Sequence, residues 1–175
     1  MAKFVYVIGT ADTKLEELVW LKSCLHTAGV DSHIIDVSTQ VPTELSSAGS
    51  KIDIPSSQIA EYHPGGTTAV FCRERGRAIM AMSEALTHFL RDTSEDISAL
   101  IGIGGSGGTA LITAAIQSMP IGMPKLMVST MASGNVADYV GGVDIAMLYT
   151  VTDLNGLNYL SRTILANAAN MIAGL

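Results

Sequence analysis

The sequence predicts an α/β domain built on a doubly wound, mostly parallel five-stranded sheet. Short apolar runs alternate with helical patterns along its 175 residues. These runs are mostly continuous, which is typical of strands that are buried on both faces. Strands and helices that alternate along a chain form parallel sheets with right-handed crossovers. A chain of this length can bury an adequate core, so we treat residues 1–175 as one domain.

The first half of the chain carries two of these strands. Phe4–Ile8 is predicted as the first strand and His33–Val37 as the second. Between them, Thr13 and Glu16 have the spacing of a capping box, and Gly29 is expected to end the helix. The helix has an apolar stripe formed by Leu15, Leu18, Leu21 and Leu25.

Residues 38–69 interrupt this rhythm, because Ser, Thr, Pro and Gly dominate there. A loop of this length in a compact domain is usually functional, with a short helix predicted near Ser57–Tyr62. The next helix is predicted over Ala69–Arg91 from its apolar stripe. Three arginines begin this helix, and a solvated face is favoured for them over a phosphate contact. They are Arg73, Arg75 and Arg77.

The second half of the chain continues the alternation. Leu100–Ile116 is predicted to pass from a third, buried strand through a tight turn into a helix. Lys125–Thr130 and Val143–Tyr149 are the fourth and fifth strands, and the last helix begins near Leu157 and ends at Gly174.

Composition excludes several kinds of partner. The formal net charge is −6, whereas nucleic-acid binding needs clustered Lys and Arg. Cys24 and Cys72 lack CxxC spacing, which suits a reducing cytoplasm, and the four histidines lack zinc-site spacing. Ile97–Pro124 is uncharged and long enough to span a bilayer, but its five clustered glycines and its two prolines favour a buried strand and helix. We therefore expect a cytoplasmic protein with no resident metal, no nucleic-acid partner and no membrane partner.

The turn within Leu100–Ile116 holds five glycines in seven residues, Gly102 to Gly108. Residues without side chains let a ligand approach the backbone, and a helix N-terminus presents several N–H groups to one anion. Gly107 is expected where a Cβ would intrude on bound phosphates or where φ must be positive. The stretch therefore predicts an anion or phosphate site.

Polar and glycine-rich segments follow the other strands as well, at 9–14, 129–135 and 150–158. The carboxyl ends of parallel strands meet at one edge of the sheet, where such folds bind ligands. The convergence of these segments with turn 104–109 predicts one pocket. Its candidate nucleotide-binding residues are Gly9, Thr10, Asp12, Thr13, Asp36, Gly104, Gly105, Ser106, Gly107, Gly108, Thr109, Ser129, Thr130, Gly134, Asn135, Thr152, Asp153 and Asn155.

Two nucleotide motifs fit the glycine turn incompletely. Gly102-x-Gly104-x-x-Gly107 has the dinucleotide spacing, but it follows the third strand and lacks an acid about 20 residues later. Asp36 has the position of a ribose-binding acid at the end of the second strand, so a dinucleotide stays the less favoured alternative. A Walker A loop is excluded, because no Lys follows the glycines.

A hydrolase interpretation also fails. Gly104-x-Ser106-x-Gly108 has the spacing of a nucleophile elbow. That mechanism needs a histidine after the serine, and none follows His88. Ser106 is therefore interpreted as a hydroxyl donor to a phosphate oxygen, and catalytic residues stay unassigned.

Asp12 and Asp153 each come just after a predicted strand, where a carboxylate can reach a Mg²⁺ ion. Helix capping is the alternative role for both side chains. Asn135 and Asn155 have two open roles, contact with a base or ribose and stabilisation of a turn.

Five motifs together resemble one family, an ATP-binding N-terminal domain shared by uncharacterised bacterial proteins and a tomato mosaic virus resistance protein. The resemblance covers nearly the whole chain. The motifs are Gly9-Thr-Ala-Asp-Thr-Lys14 with Glu16, Arg75-Gly-Arg-Ala-Ile-x-x-Met82, Gly104-Gly-Ser-Gly-Gly-Thr109, Ser129-Thr-x-Ala-Ser-Gly134 and Thr152-Asp153.

The resemblance implies a Rossmann-like domain that binds ATP and forms homo-oligomers, with Mg²⁺ as a candidate ion beside the ATP. It also implies a C-terminal barrel-like domain, which this sequence does not contain. We expect that domain either in a further part of the same protein or on another polypeptide. ATP binding is the favoured function. The alternatives are a phosphoryl-transfer or sugar-phosphate enzyme completed by a separate domain, and a regulatory module that docks a partner.

Overall fold

A computed structural model describes residues 3–40 and 51–175 of the chain. Its five strands form one sheet in the order β2-β1-β3-β4-β5, and every pair is parallel. This confirms the predicted α/β fold with a doubly wound, five-stranded sheet. The strands are β1 (Phe4–Gly9), β2 (Ser32–Asp36), β3 (Ile97–Gly104), β4 (Lys125–Ser129) and β5 (Ala146–Tyr149).

Helices cover both faces of this sheet. Helices α1 and α7 pack on one face, while α4 and α5 pack together on the other, with α2 and α3 beside α4. The helices are α1 (Ala11–Thr27), α2 (Ser56–Ala60), α3 (Thr67–Val70), α4 (Arg75–Asp92), α5 (Ser106–Ile116), α6 (Ala137–Val140) and α7 (Tyr159–Ala173), with a short 3-10 turn at Ser94–Asp96.

The double covering explains why the strand sequences are continuously apolar. In β3, Leu100 packs into the core on the α4–α5 side, whereas Ile101 and Ile103 pack into the core on the α1–α7 side. Both faces therefore exclude water from Ala99–Gly104, and each of these buried residues has an apolar side chain or none. None of the helices in the described ranges is both long and apolar enough to cross a bilayer.

The predicted helix over Ala69–Arg91 is wrong in its first part. The chain forms α3, leaves the helical path at Phe71–Glu74 and restarts as α4. Glu74 begins α4 because its side chain accepts a hydrogen bond from the amide of Arg77 at 3.3 Å. Met82, Leu86, Phe89 and Leu90 of the predicted stripe are buried as expected, whereas Ile79 is half-buried.

The predicted capping box at Thr13 and Glu16 is also wrong. Helix α1 begins two residues earlier, at Ala11, and the hydroxyls of Thr10 and Thr13 contact each other at 3.0 Å. Lys14 then has non-helical dihedral angles, φ −132° and ψ 25°, so the helix axis is kinked there. The first turn of α1 is therefore a separate bend above the end of β1.

The strand order creates a crevice between β1 and β3. The chain leaves β1 towards β2 on one side and leaves β3 towards β4 on the other, so the connecting helices diverge to opposite faces. Ligands of doubly wound sheets bind at this switch point, beyond the carboxyl ends of the strands. In this protein, Gly9 and Gly104 end the two strands.

At the opposite, amino-terminal edge of the sheet, a buried cation is completely paired. Lys125 is 2% exposed, and its ammonium donates to the carbonyls of Pro120 and Met123 and to the Asp144 carboxylate, at 2.7, 3.0 and 2.7 Å. The hydrogen bond from Lys125 holds the pKa of Asp144 below its ordinary value. A buried ammonium requires such partners, because an isolated one is costly to desolvate.

Gly102 lets α5 pack closely against the sheet. A Cβ at this position would lie 2.6 Å from the sulfur of Met127 and 2.7 Å from Cγ2 of Ile112. We expect Gly102→Ala to lower the free energy of unfolding by about 1–3 kcal/mol through overpacking. Gly142→Ala is the matched control, because nothing lies within 4 Å of its Cβ position. If urea denaturation gave the two variants equal free energies of unfolding, this packing account would be contradicted.

Candidate functional site

A pocket of about 950 Å³ opens at the carboxyl edge of the sheet, above the crevice between β1 and β3. Residues that follow each of the five strands line it, together with the start of α4. They are Thr10, Asp12, Thr13 and Lys14 after β1; Thr39 and Gln40 after β2; Gly105–Gly108 and Leu111 after β3; Thr130 and Met131 after β4; Asp153, Leu154 and Asn155 after β5; and Phe71, Cys72, Arg73, Arg75, Ala78 and Ile79 around the start of α4.

The amino terminus of α5 opens into the middle of this pocket. Gly105 is the N-cap residue, and no described side chain caps it. The first hydrogen bond within the helix runs from the amide of Thr109 to the carbonyl of Gly105, at 2.8 Å. The amides of Ser106, Gly107 and Gly108 precede that bond, and such groups at a helix start have no intrahelical acceptor. The arrangement suits an anion.

The glycines of this turn have different roles. A Cβ on Gly104 would lie 2.9 Å from backbone atoms of Gly108 and Thr109, so only glycine lets α5 begin this close to β3. Gly107 lies in the first turn of α5 and does not have a positive φ, which rules out that part of the expectation for it. Its Cβ would point towards α4 and lie 3.4 Å from Cδ1 of Ile79.

Three cationic side chains reach the pocket from two directions. Lys14 lies at the kink of α1, and its ammonium donates to the carbonyl of Leu154 at 2.7 Å. Arg73 and Arg75 come from the segment that begins α4, and Nη2 of Arg75 lies 3.7 Å from the Cβ position of Gly107. All three arginine side chains are exposed, in agreement with the predicted solvated face. Arg73 and Arg75 also line the pocket, whereas Arg77 lies outside it and pairs with Glu74 at 3.8 Å.

Two carboxylates lie on the same pocket, those of Asp12 and Asp153. No group of three metal-binding side chains occurs in the ranges that the structure describes. Mg²⁺ in nucleotide sites usually takes one or two carboxylates, completing its shell with phosphate oxygens and water. The Mg²⁺ role predicted for Asp12 and Asp153 stays a prediction.

Ser106 lines the pocket, but no histidine does among the described residues. A serine nucleophile needs a base within hydrogen-bond reach. The pocket as described therefore provides anion-binding groups without the base of a serine hydrolase.

The comparison with known sequences assigns the family. Residues 3–175 match the N-terminal domain of the uncharacterised protein family UPF0261. This chain belongs to that family. The family resemblance predicted from the five motifs is thereby confirmed, while ATP binding stays a prediction.

Relatives of this UPF0261 domain occur in bacteria and in a plant. The chain is 48% identical over 174 residues to a UPF0261 protein of Rhizobium meliloti (strain 1021), covering 99% of this chain and 42% of that protein. It is 36% identical over 180 residues to a UPF0261 protein of Clostridium tetani, covering 100% and 43%. It is 38% identical over 185 residues to the ToMV resistance protein Tm-1(GCR237) of Solanum lycopersicum, covering 98% and 24%. The chain thus spans less than half the length of these relatives.

Several residues predicted for the UPF0261 pocket lie behind it rather than on its surface. Asp36 is buried, and its carboxylate accepts hydrogen bonds from the amides of Ala11 and Ser38, both at 2.9 Å. It fixes the start of α1, so its position favours a structural role over contact with a ribose. The other predicted residues outside the lining are Gly9, Gly104, Thr109, Ser129, Gly134, Asn135 and Thr152.

Three of these residues, Thr109, Ser129 and Asn135, make contacts that support the segments around the pocket. The hydroxyls of Thr109 and Ser129 contact each other at 2.6 Å in the interior, which joins α5 to the end of β4. The Asn135 carboxamide accepts from the amide of Ala137 at 3.0 Å and so shapes the turn before α6. The predicted residues that do line the pocket are Thr10, Asp12, Thr13, Gly105, Ser106, Gly107, Gly108, Thr130, Asp153 and Asn155.

Two parts of the pocket lining were not predicted from the sequence, the residues around the start of α4 and those that follow β2. Phe71, Cys72 and Arg73 lie in the break between α3 and α4, which no glycine or proline marks in the sequence. The sequence held a signal for Lys14, because this cationic residue is the last one of the polar segment 9–14 that follows β1.

A buried acid ties α1 to the segment after β5. Glu17 is 1% exposed, and its carboxylate accepts from the amide of Gly156 at 2.8 Å. With the contact between Lys14 and Leu154, this bond holds Asp153 and Asn155 at the pocket.

We expect Glu17→Ala to lower the free energy of unfolding by about 1–3 kcal/mol, because the Gly156 amide loses its acceptor. Hydrogen exchange at Gly156 should accelerate. Glu16→Ala is the control: Glu16 is exposed on the same helix, and its loss should change stability by no more than about 0.5 kcal/mol. Equal effects of the two substitutions in urea denaturation would argue against this tie.

Proposed function

We propose that this UPF0261 domain binds ATP in the pocket at the carboxyl edge of its sheet, with phosphates on the amides of Gly105–Gly108. The observation that carries the proposal is the uncapped start of α5, which opens into a pocket that also holds Lys14, Arg73 and Arg75. A helix start and cations together favour a ligand with several negative charges. The resemblance described above is what favours ATP among such ligands.

The size and chemistry of the pocket support a nucleotide. Its volume of about 950 Å³ lies within the range of small-molecule sites, about 300–1,000 Å³. Phe71, Ile79 and Leu111 supply an apolar wall for a base, while Asp12 and Asp153 supply oxygen ligands for a Mg²⁺ ion that bridges the phosphates. We also propose a cytoplasmic location, because Cys24 and Cys72 lack CxxC spacing, which suits a reducing compartment.

The second candidate function is a phosphoryl-transfer or sugar-phosphate enzyme. Two observations favour it: the described pocket has anion-binding groups without a histidine base, and the relatives are more than twice as long as this chain. In that case, another domain supplies the reacting group and the second substrate. Release of phosphate from ATP by the present domain alone would contradict the need for the second domain.

A regulatory role rests on a different surface. Exposed apolar side chains lie around β5 and the start of α7, including Val151, which is 59% exposed, and Tyr159, which is 86% exposed. Large exposed apolar patches often bind other proteins. In this candidate role, the domain binds a second copy of itself to form a homo-oligomer, or it binds a separate barrel-like domain.

Ser106→Asp tests the phosphate site without weakening the helix. An acidic residue is favourable in the first turn of α5, so the fold should be kept. The same carboxylate repels phosphates on the neighbouring amides, by about 3 kcal/mol for unit charges 5 Å apart at an effective dielectric constant of about 20. We expect calorimetry to show at least about tenfold weaker ATP binding.

Ser106→Asn is the matched control for this experiment, because it has nearly the same shape as Asp and no charge. Its loss of affinity should be much smaller than that of Ser106→Asp. If a folded Ser106→Asp protein binds ATP as tightly as the wild type, the phosphates do not lie at the start of α5.

A further inference from the structure

The break between α3 and α4 brings two arginines to the pocket. Glu74 is the N-cap of α4, and Arg75 is its first residue. The chain path at Phe71–Glu74 places Arg73 and Arg75 on the pocket, whereas Arg77 lies outside it. The start of α4 therefore meets the start of α5 across the pocket.

Both arginine side chains are exposed, and they lie at the N-terminus of α4, Arg73 before the N-cap and Arg75 after it. The N-terminus of a helix carries a partial positive charge, which disfavours cations there. Glu74 does not neutralise them, since its carboxylate contacts the amide and the guanidinium of Arg77. Within residues 3–40 and 51–175, neither Arg73 nor Arg75 has a carboxylate within 4.0 Å, in contrast to buried Lys125 with Asp144 at 2.7 Å. A bound anion would remove this conflict.

Gly107 leaves a gap between the two helix starts. Nη2 of Arg75 lies 3.7 Å from the Cβ position of Gly107, so a side chain there would fill the space that now faces the guanidinium. An anion seated on the α5 amides would have Arg75 on its α4 side. A second anionic group bonded to the first would then lie within reach of the arginines, which bind phosphate oxygens through paired N–H donors.

We propose that Arg73 and Arg75 form a second phosphate subsite next to the one at the start of α5, so that the pocket selects ligands with at least two linked phosphates. The inference rests on the proposed function in that both concern the same pocket. It goes further by assigning a ligand class, diphosphates and triphosphates over monophosphates, and by naming the residues that make the distinction.

Inorganic pyrophosphate and orthophosphate test the subsite without any nucleoside. We expect calorimetry at about 0.15 M salt, where the charges of remote residues are largely screened, to show wild-type protein binding pyrophosphate at least about tenfold more tightly than orthophosphate. Arg75→Gln should lose most of that ratio by weakening pyrophosphate, with little change for orthophosphate. ADP and AMP should follow the same pattern.

Arg77→Gln is the matched control, two residues further along α4, and should keep the wild-type ratio. Stability separates a lost contact from misfolding: Arg75→Gln removes a cation from a helix start, so its thermal midpoint should stay the same or rise. Equal tightness of the two anions in wild type would overturn the inference. So would an unchanged ratio in Arg75→Gln, or equal losses in Arg75→Gln and Arg77→Gln.

The outcomes for the two proposals differ. If wild type prefers pyrophosphate and Arg75→Gln abolishes that preference, but ATP does not bind, the diphosphate subsite stands and the ATP proposal fails. If ATP binds with equal affinity to wild type and Arg75→Gln, and the anion ratio is unchanged, the ATP proposal stands and the subsite is rejected.

Discussion

The close approach of α5 to the end of β3 is the constraint on which the site depends. Gly102 and Gly104 have no side chains at the two points where the helix and the sheet meet, and a Cβ at either would fall within 3 Å of its neighbours. The short distance brings the first amides of α5 directly over the crevice between β1 and β3. The same glycines therefore serve packing and place the free amides at the start of α5, the proposed anion-binding groups, at the switch point of the sheet.

A layer of buried polar contacts then fixes the segments around that helix start. Asp36 holds the start of α1, Thr109 and Ser129 join α5 to β4, and Glu17 holds the segment after β5. Each of these groups is buried and hydrogen-bonded, as buried polar groups must be to avoid a desolvation cost. These contacts fix the loops around the pocket. The loops can therefore present polar and charged groups to a ligand without an ordering step of their own.

The sequence was sufficient to predict the fold and the edge that holds the pocket. Apolar runs such as Phe4–Ile8 and the glycine turn at 102–108 are local signals, and the parallel connections make all strand ends meet at one edge. What the local pattern could not reveal is which polar side chains face inwards. Asp36 was predicted for the ligand, yet its carboxylate is occupied by backbone amides.

The arginines show what the sequence could not separate, since all three are exposed but only two line the pocket. The sequence predicted all three at the start of one continuous helix, and the break at Phe71–Glu74 carries no glycine or proline that would mark it. Tertiary packing of α3 against α4 and the cap by Glu74 decide where the helix restarts. The position of this restart places Arg73 and Arg75 on the pocket, with their side chains still exposed.

The most direct measurement for the central claim is a titration of isotope-labelled protein with ATP and Mg²⁺, followed by the backbone amide resonances. If the phosphates bind at the start of α5, the amides of Gly105, Ser106, Gly107 and Gly108 should show the largest shifts, with smaller shifts near Lys14 and Asp153. Amides at the opposite edge, around Gly122, should not move. Saturable shifts confined to other parts of the domain, or no shifts at millimolar ATP, would contradict the account.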